Sequence, residues 1–364
     1  MTDLEVAIQL LGGPTNKVIY DNLGLPSIMV RFDKGNNSDV ITGSSEQTHA
    51  AFIINNTEIP AFWYSKYPNI IINGNAYSLP LQDPKTAINF DSARTACENK
   101  GAGWHLGTNA EWAWIALQCR KNGFKPRGNN LNGKDYNRTD EKGVVVHTYE
   151  SGGATYNGRV ATGSGPKSWA HNNDASGVWD FNGNVSEWVG GFRLKDGELN
   201  VLPNNDAADK DNPQNATSTL WKAIASDGSL VTPATDDTLK LDYYTSPGTS
   251  EVGQVFCVKT ALSYKQESEI PYGSMAFALL SSQGVTVPEI MKTLALYPPN
   301  SGDIASEYFY MRNKGERMAC RGGAYTGSSS NGVFSIDAKN TRLHSDNGIG
   351  FRAAFADFVT NQTL

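Results

Sequence analysis

Two short frames near the C-terminus enclose the part of this chain that most limits what it can be. Arg321-Gly322-Gly323 opens the stretch and Ile349-Gly350-Phe351-Arg352 closes it. Between them the residues are short, polar and mixed: Tyr325, Thr326, Ser328, Ser329, Ser330, Asn331, Ser335, Asp337, Lys339, His344, Ser345, Asp346 and Asn347. A rigid frame around a miscellany of contact side chains is how a recognition surface is built. Catalysis needs a few groups at set geometry with tuned pKa values, whereas recognition needs adaptable donors and acceptors with an occasional aromatic anchor. Val333-Phe334-Ser335-Ile336 reads as a strand that plants the segment on a core, which a floppy linker would not need.

The chain has 364 residues, enough for one large domain or a main domain with a small accessory one. Apolar residues make up 39%, but 8 Trp, 15 Tyr and 14 Phe supply the area for a real core. Thirty-six glycines and 16 prolines favour a turn-rich chain over a helix bundle. A net charge of −6 argues against a phosphate-tracking nucleic-acid binder, whose footprint is basic. Cys97, Cys119, Cys257 and Cys320 are scattered and form no CxxC spacing, so a structural zinc site is not expected and buried free thiols are the favoured reading. The N-terminal MTDLEVAIQLLGG lacks the basic and long apolar regions of a signal peptide, and no run reaches the length of a membrane span. The expectation is synthesis in a cytosol, without membrane insertion, and arrival at any outer surface by assembly into a particle.

Residues 1–50 read as a small, mainly β N-terminal module, with strand signals at Val18–Tyr20 and Leu23–Phe32 and a loop at Gly35–Asp39. From residue 51 to 364 a second domain is expected. Phe52-Ile-Ile and Phe62-Trp-Tyr look like strands, and Asn73-Gly74 is a hairpin signal. The apolar spacing predicts helices over 86–100 and 109–122, the second begun by a Thr108/Asn109 cap with Glu111 in its first turn. Residues 124–168 read as loop, 195–318 as a long insertion, and Pro288–Leu296 as a helix within it.

Three segments resemble a known family. Trp104-His-Leu-Gly-Thr-Asn-Ala-Glu-Trp112, Gly177-Val-Trp-Asp-Phe-Asn-Gly-Asn-Val-Ser-Glu-Trp188, and Arg321-Gly-Gly-Ala-Tyr325 with Gly350-Phe-Arg352 are similar, in this order, to segments of the formylglycine-generating-enzyme family. The resemblance spans roughly 50–356 and implies an α+β, C-type-lectin-like, loop-rich fold. Within that superfamily the closer likeness is to the variable proteins of diversity-generating retroelements, which include phage tropism determinants. In those systems a mutagenic reverse transcriptase rewrites the C-terminal segment at adenines, mainly in Asn codons. Asn codons varied at their first two bases cannot yield Met, Trp, Gln, Glu or Lys. Residues 324–347 contain none of the first four, and Lys339 departs from the rule.

The resemblance implies a receptor-binding, host-attachment protein that displays a diversified surface, at a phage tail tip and so on the virion. Its partners would be a bacterial cell-surface receptor, protein or glycan, and phage tail proteins, in a homotrimer attached through residues 1–50. A variable lectin-like protein displayed on a bacterial cell surface is the alternative. A formylglycine-generating-type oxidase comes third and is disfavoured, because Ala324–Gly332 holds no cysteine and Cys320 lies outside that segment. The chain is therefore read as not an enzyme, with no catalytic residue.

No cofactor is expected. The calcium-lectin motifs are missing, and Asp174, Asp180, Asn182 and Asn184, which could offer oxygens to a structural Ca²⁺, are read as turn residues. The five histidines (His49, His105, His147, His171, His344) make no metal motif; His105 reads as packed at a helix start, and Asn184 and Glu187 as holding loop backbone. The expected ligand-binding residues are Tyr325, Thr326, Ser328, Ser330, Ser335, Asp337, Lys339, Leu343, His344 and Asp346 on one exposed face, with Tyr325 as anchor. Phe334, Ile349 and Phe351 are expected beneath it, and Arg321 and Arg352 covered and hydrogen-bonded.

Overall fold

Strand Pro26–Asp33 holds Ile28, Met29, Val30 and Phe32 all inside, so it needs cover on both faces and cannot stand in a separate module. The computed structural model, which describes residues 1–244, 252–263, 272–299 and 306–358, shows where that cover comes from. The strand lies between Asn16–Tyr20 and Ala61–Ser65, and the antiparallel sheet continues through Ala353–Phe355 to Trp104–Leu106. Arg31 faces Trp63 and Phe32 faces Phe62 across the pair. Residues 16–33 therefore share a sheet with Ala353–Phe355, so this sheet crosses the boundary expected near residue 50.

Buried polar groups lock this arrangement. Asn16 Nδ2 donates to the Ser176 carbonyl at 2.7 Å. The Lys100 ammonium lies inside, 3.1 Å from Ser27 Oγ and 3.8 Å from Asp21, with the rings of Tyr77 and Trp104 each 4.1 Å away. The Asp3–Gly12 helix, begun by a reciprocal Thr2/Glu5 cap, leaves large apolar side chains outside the core: Leu10 and Leu11 are 80% and 77% exposed. The sequence reading contained no helix there.

The second sheet is the larger. Its strands run in the order Leu230–Val231, Lys222–Ile224, Glu198–Val201, Lys240–Tyr244, Val252–Val258, Tyr272–Ala276, Tyr308–Met311, Gly332–Asn340, Glu316–Gly322, Ser186–Lys195 and Ile349–Phe351, with Ser281–Ser282 beside Val252–Val258. Ser186–Lys195 also pairs with Glu198–Val201, which closes the strands between them into an eight-stranded barrel. The 195–318 region is thus no excursion from the fold, because its strands continue the sheet that carries the framed segment. The expected loop at 124–168 also contains a hairpin, Thr148–Ser151 with Ala154–Asn157. Its turn residues Gly152 and Gly153 both have positive φ, as Asn73 and Gly74 do in the Ile70–Ile72/Asn75–Tyr77 hairpin.

Two helices, Phe90–Glu98 and Asn109–Lys121, pack on these sheets, and Glu289–Thr293 is a single further turn of helix. The second is capped by Thr108 and Glu111, whose bonds to each other's backbone N–H groups satisfy the orphan donors of the first turn. Glu111 also holds His105 Nε2 at 2.8 Å, while the Gly103 carbonyl sits 3.0 Å from Nδ1. Burial alone would lower the His105 pKa, but the Glu111 carboxylate more than reverses it, and two acceptors on one ring call for the doubly protonated form. Trp112 stacks on Phe181 at 3.7 Å and donates to the Val333 carbonyl, so this helix is tied directly to the framed strand.

His49 and His171 are the opposite case. Each accepts a backbone N–H on Nδ1, from Ala51 and Val178, and both rings are buried. Burial pushes His49 down to about 4; burial, with Arg352 and Lys66 nearby, pushes His171 down to about 3. A base with a depressed folded-state pKa contributes stability that is fully present above about 6.5 and lost as pH falls. In His171→Asn the amide oxygen can replace Nδ1 as acceptor without gaining a charge. Relative to that variant, wild type should lose stability below pH 6.5 by up to about 1.4 kcal/mol per pH unit. Urea unfolding of both proteins from pH 7 to pH 4 checks this, and a constant difference would contradict it.

Candidate functional site

The two frame arginines fix the ends of the framed segment. Arg352 is fully buried at the end of the Ile349–Phe351 strand. Its Nε lies 2.7 and 2.9 Å from the Glu187 carboxylate oxygens; Nη1 donates to the carbonyls of Ser65 and Lys66, and Nη2 to those of Trp179 and Asp180. Burial raises the Glu187 pKa, and the facing guanidinium opposes that rise without cancelling it. Arg321 is equally buried, but its partners are the Asn109 side chain at 2.6 Å and the carbonyls of Leu294 and Ala295. With no carboxylate bonded to it, burial pushes its pKa down to about 9.

Gly322 and Gly323 have φ of 83° and 78°, so the chain leaves strand Glu316–Gly322 through a left-handed turn. A Cβ on Gly323 would lie 2.0 Å from the Asn331 side chain, which returns a hydrogen bond to the Ala324 carbonyl. This closes a loop over 324–331 that includes the short turn Ser328–Ser330. Strand Gly332–Asn340 then runs back between Tyr308–Met311 and Glu316–Gly322. Residues 341–348 climb beside the sheet to the start of Ile349–Phe351, held by Arg342 on Glu316 and Asp91 and by the Ala87 N–H on the Asp346 carbonyl.

The ten expected contact residues do not share one exposure. Thr326, Leu343, His344 and Asp346 are exposed, with Leu343 at 76%. Ser328, Ser330, Asp337 and Lys339 are half-buried. Tyr325 and Ser335 are buried, at 7% and 4%, which corrects their placement on an exposed face. Ser335 is buried although it lies on the same face of its strand as the half-buried Asp337 and Lys339. Tyr325 is covered because it turns inward onto the Thr148–Asn157 hairpin: Tyr149 is 5.5 Å away and His147 6.1 Å, while Tyr149 stacks on Tyr156 at 5.6 Å. That hairpin is exposed along nearly its whole length, and a lone two-stranded ribbon needs such an anchor. Tyr325 is thus a support for the surface. Phe334, Ile349 and Phe351 lie in the core.

Beyond the hairpin, the sheet brings up side chains the sequence reading passed over. Tyr272, Tyr308 and Tyr310 stand beside Asp337 and Lys339, and the Lys339 ammonium rests 4.8 Å from the Tyr272 ring centre and 4.5 Å from that of Tyr310. The alternation Tyr308-Phe309-Tyr310 was the available signal, since alternate residues of a strand share a face.

The side chains considered for calcium each bond to backbone groups. Asp174 caps the Ser176 N–H, Asn182 donates to the Pro126 carbonyl, and Asn184 holds both backbone groups of Val160. Asp180 accepts from the Gly163 N–H, and burial raises its pKa to about 6. Among the described residues no group of three or more His, Cys, Asp or Glu side chains could hold a metal ion, and no helix is long and apolar enough to cross a membrane. All four cysteines are buried and free. Burial pushes the Cys320 thiol well up, and the Asp337 carboxylate adds to it, the reverse of what a reactive thiolate needs.

The frame and the display should respond differently to substitution. Arg352→Met leaves Glu187 buried without its partner and should cost about 3–5 kcal/mol, part of which Glu187→Gln in the same chain restores. Thr326→Ala and His344→Ala should each stay within about 0.5 kcal/mol. Denaturant unfolding measures all four; comparable losses in the two groups would show that the exposed side chains are structural.

No family model matches the chain, and no curated protein matches it. Among solved structures it is similar to Treponema denticola variable protein 1, at 13% identity and a TM-score of 0.32, over 94% of this chain and all of that one. It is also similar to the P3c and U1 variants of the Major Tropism Determinant, each at 12% identity and a TM-score of 0.32, over 90% of this chain. The chain spans 63% of the length of those two structures. The structural neighbours found are therefore variable proteins and tropism determinants, at identities and TM-scores that carry no residue-level role across to this chain.

Proposed function

We propose that this chain is a receptor-binding protein that displays a diversified surface on a C-type-lectin-like scaffold at a phage tail tip. One observation carries the reading: the framed segment separates into a buried, hydrogen-bonded frame and an exposed set of side chains. Arg352 is bound on every nitrogen, while Thr326, Leu343, His344 and Asp346 project from loops at the segment's turns. A surface that must accept mutation has to be energetically separate from the core, where truncating a large side chain costs about 2–5 kcal/mol. The display is small, so a single copy binds weakly after association costs, and several copies on one particle compensate through effective concentration. In this reading the chain is a homotrimer, and the exposed Asp3–Gly12 helix provides the attachment to tail proteins first sought in residues 1–50.

Binding of labelled full-length protein to a panel of whole bacterial strains tests the reading. At least one strain should be bound, and a variant combining Thr326→Ala, Leu343→Ala, His344→Ala and Asp346→Ala should lose at least tenfold in binding with a nearly unchanged melting temperature. Binding to no strain, or full binding by the variant, would overturn it.

A further inference from the structure

We propose that the outer face of strands Tyr272–Ala276, Tyr308–Met311 and Gly332–Asn340 is a saccharide-stacking platform, made by Tyr272, Tyr308 and Tyr310 with Asp337 and Lys339. The inference deepens the display reading and rests on it for location, because Asp337 and Lys339 belong to the framed segment and the three tyrosines come from outside it.

The register assembles the platform. Tyr308 and Tyr310 are two apart on one strand and so project from the same face. Tyr310 lies opposite Asp337 on one neighbouring strand and opposite Ser274 on the other, which puts Tyr272 on its diagonal. The Tyr308 and Tyr310 rings are stacked, 5.7 Å apart and 28° from parallel, and Tyr272 lies 6.3 Å from Tyr310. All three rings are half-buried, so part of each is held by its neighbours and part is open to solvent. Rings fixed in this way lose little freedom when a ligand lies on them.

The chemistry of the rim selects the ligand class. The Lys339 ammonium is 3.4 Å from an Asp337 oxygen, so the pair presents a donor and an acceptor with no net charge. That suits a neutral, hydroxyl-rich ligand more than an anion or a cation. Near-parallel rings make a shelf, matched to the flat C–H face of a pyranose ring, whereas a peptide partner is usually anchored by a side chain driven into a pocket. Lys339 rests on two of the rings through a flexible four-carbon stem and can turn its donors to sugar hydroxyls as the ring takes its place.

The test uses the full chain, a panel of neutral oligosaccharides ending in glucose, galactose or N-acetylhexosamine, and saturation-transfer difference NMR. At least one sugar should bind, with transfer concentrated on the C–H protons of one ring face. Tyr308→Ala and, separately, Lys339→Ala should each weaken that binding at least tenfold. Lys339→Ala removes no ring, so it reads the platform even if Tyr308→Ala fails to fold. An empty panel, binding equal in a folded variant, or binding only to a parallel panel of peptides would overturn the proposal. The two readings also fail separately. Cell binding that depends on Thr326 and His344 beside an empty sugar panel removes the platform alone. Tyrosine-dependent sugar binding without binding to any cell removes the display reading alone.

Discussion

A guanidinium cut off from water must have each of its N–H groups answered inside the protein, and Arg352 meets that demand by drawing several distant segments together. Its acceptors are the Glu187 carboxylate and the carbonyls of Ser65, Lys66, Trp179 and Asp180. One side chain thereby joins the five-stranded sheet, the turn before Asn184, and the Ser186–Lys195 strand of the larger sheet. Burying such a charge costs several kcal/mol, and the Glu187 pair offsets that only when the geometry is met in full. The arrangement is consequently intolerant of small displacements, which is what a frame requires. Arg321 ties down the other end with uncharged partners on Nε and Nη2, its buried Nη1 bonding to nothing among the described residues, and joins the framed strand to the Asn109–Lys121 helix and to the turn at Leu294 and Ala295.

Between these anchors the chain is free to vary where it touches water and not where it touches neighbours. Gly323 and Asn331 close the first loop by contacts that leave no room for a Cβ. Alternation along Gly332–Asn340 then sends Phe334 and Ile336 into the core and leaves Asp337 and Lys339 half-open. Tyr325, despite its place among the polar residues, is drawn under the Thr148–Asn157 hairpin. A large ring beside a poorly supported ribbon buries more apolar area by packing on it than by standing in solvent. Lys339 is the residue between 324 and 347 that a varied Asn codon cannot supply, and it is the one resting on tyrosines from outside the segment. Its partners connect the framed segment to the strands of 272–311.

The sequence alone determined much that is local. The caps at Thr108 and Glu111, the Asn73-Gly74 turn and the helical spacing of 109–122 each rest on side chains acting within a few residues of themselves, and each is present in the structure. The mixed helix and strand class, the buried arginines of the frame and the core positions of Phe334, Ile349 and Phe351 were legible for the same reason: apolar alternation and unpaired charge have few outcomes. Only the tertiary structure decided which distant segments meet. Pro26–Asp33 pairs with Ala61–Ser65, and through it joins the sheet that holds Ala353–Phe355, because it has two apolar faces to cover, and no local signal names the partner. Strands of 195–318 extend the main sheet through pairings between residues far apart in the chain. Tyr325 went inside, and Tyr272, Tyr308 and Tyr310 came to Lys339, because burial and cross-strand contact depend on neighbours that a residue's own sequence surroundings do not specify.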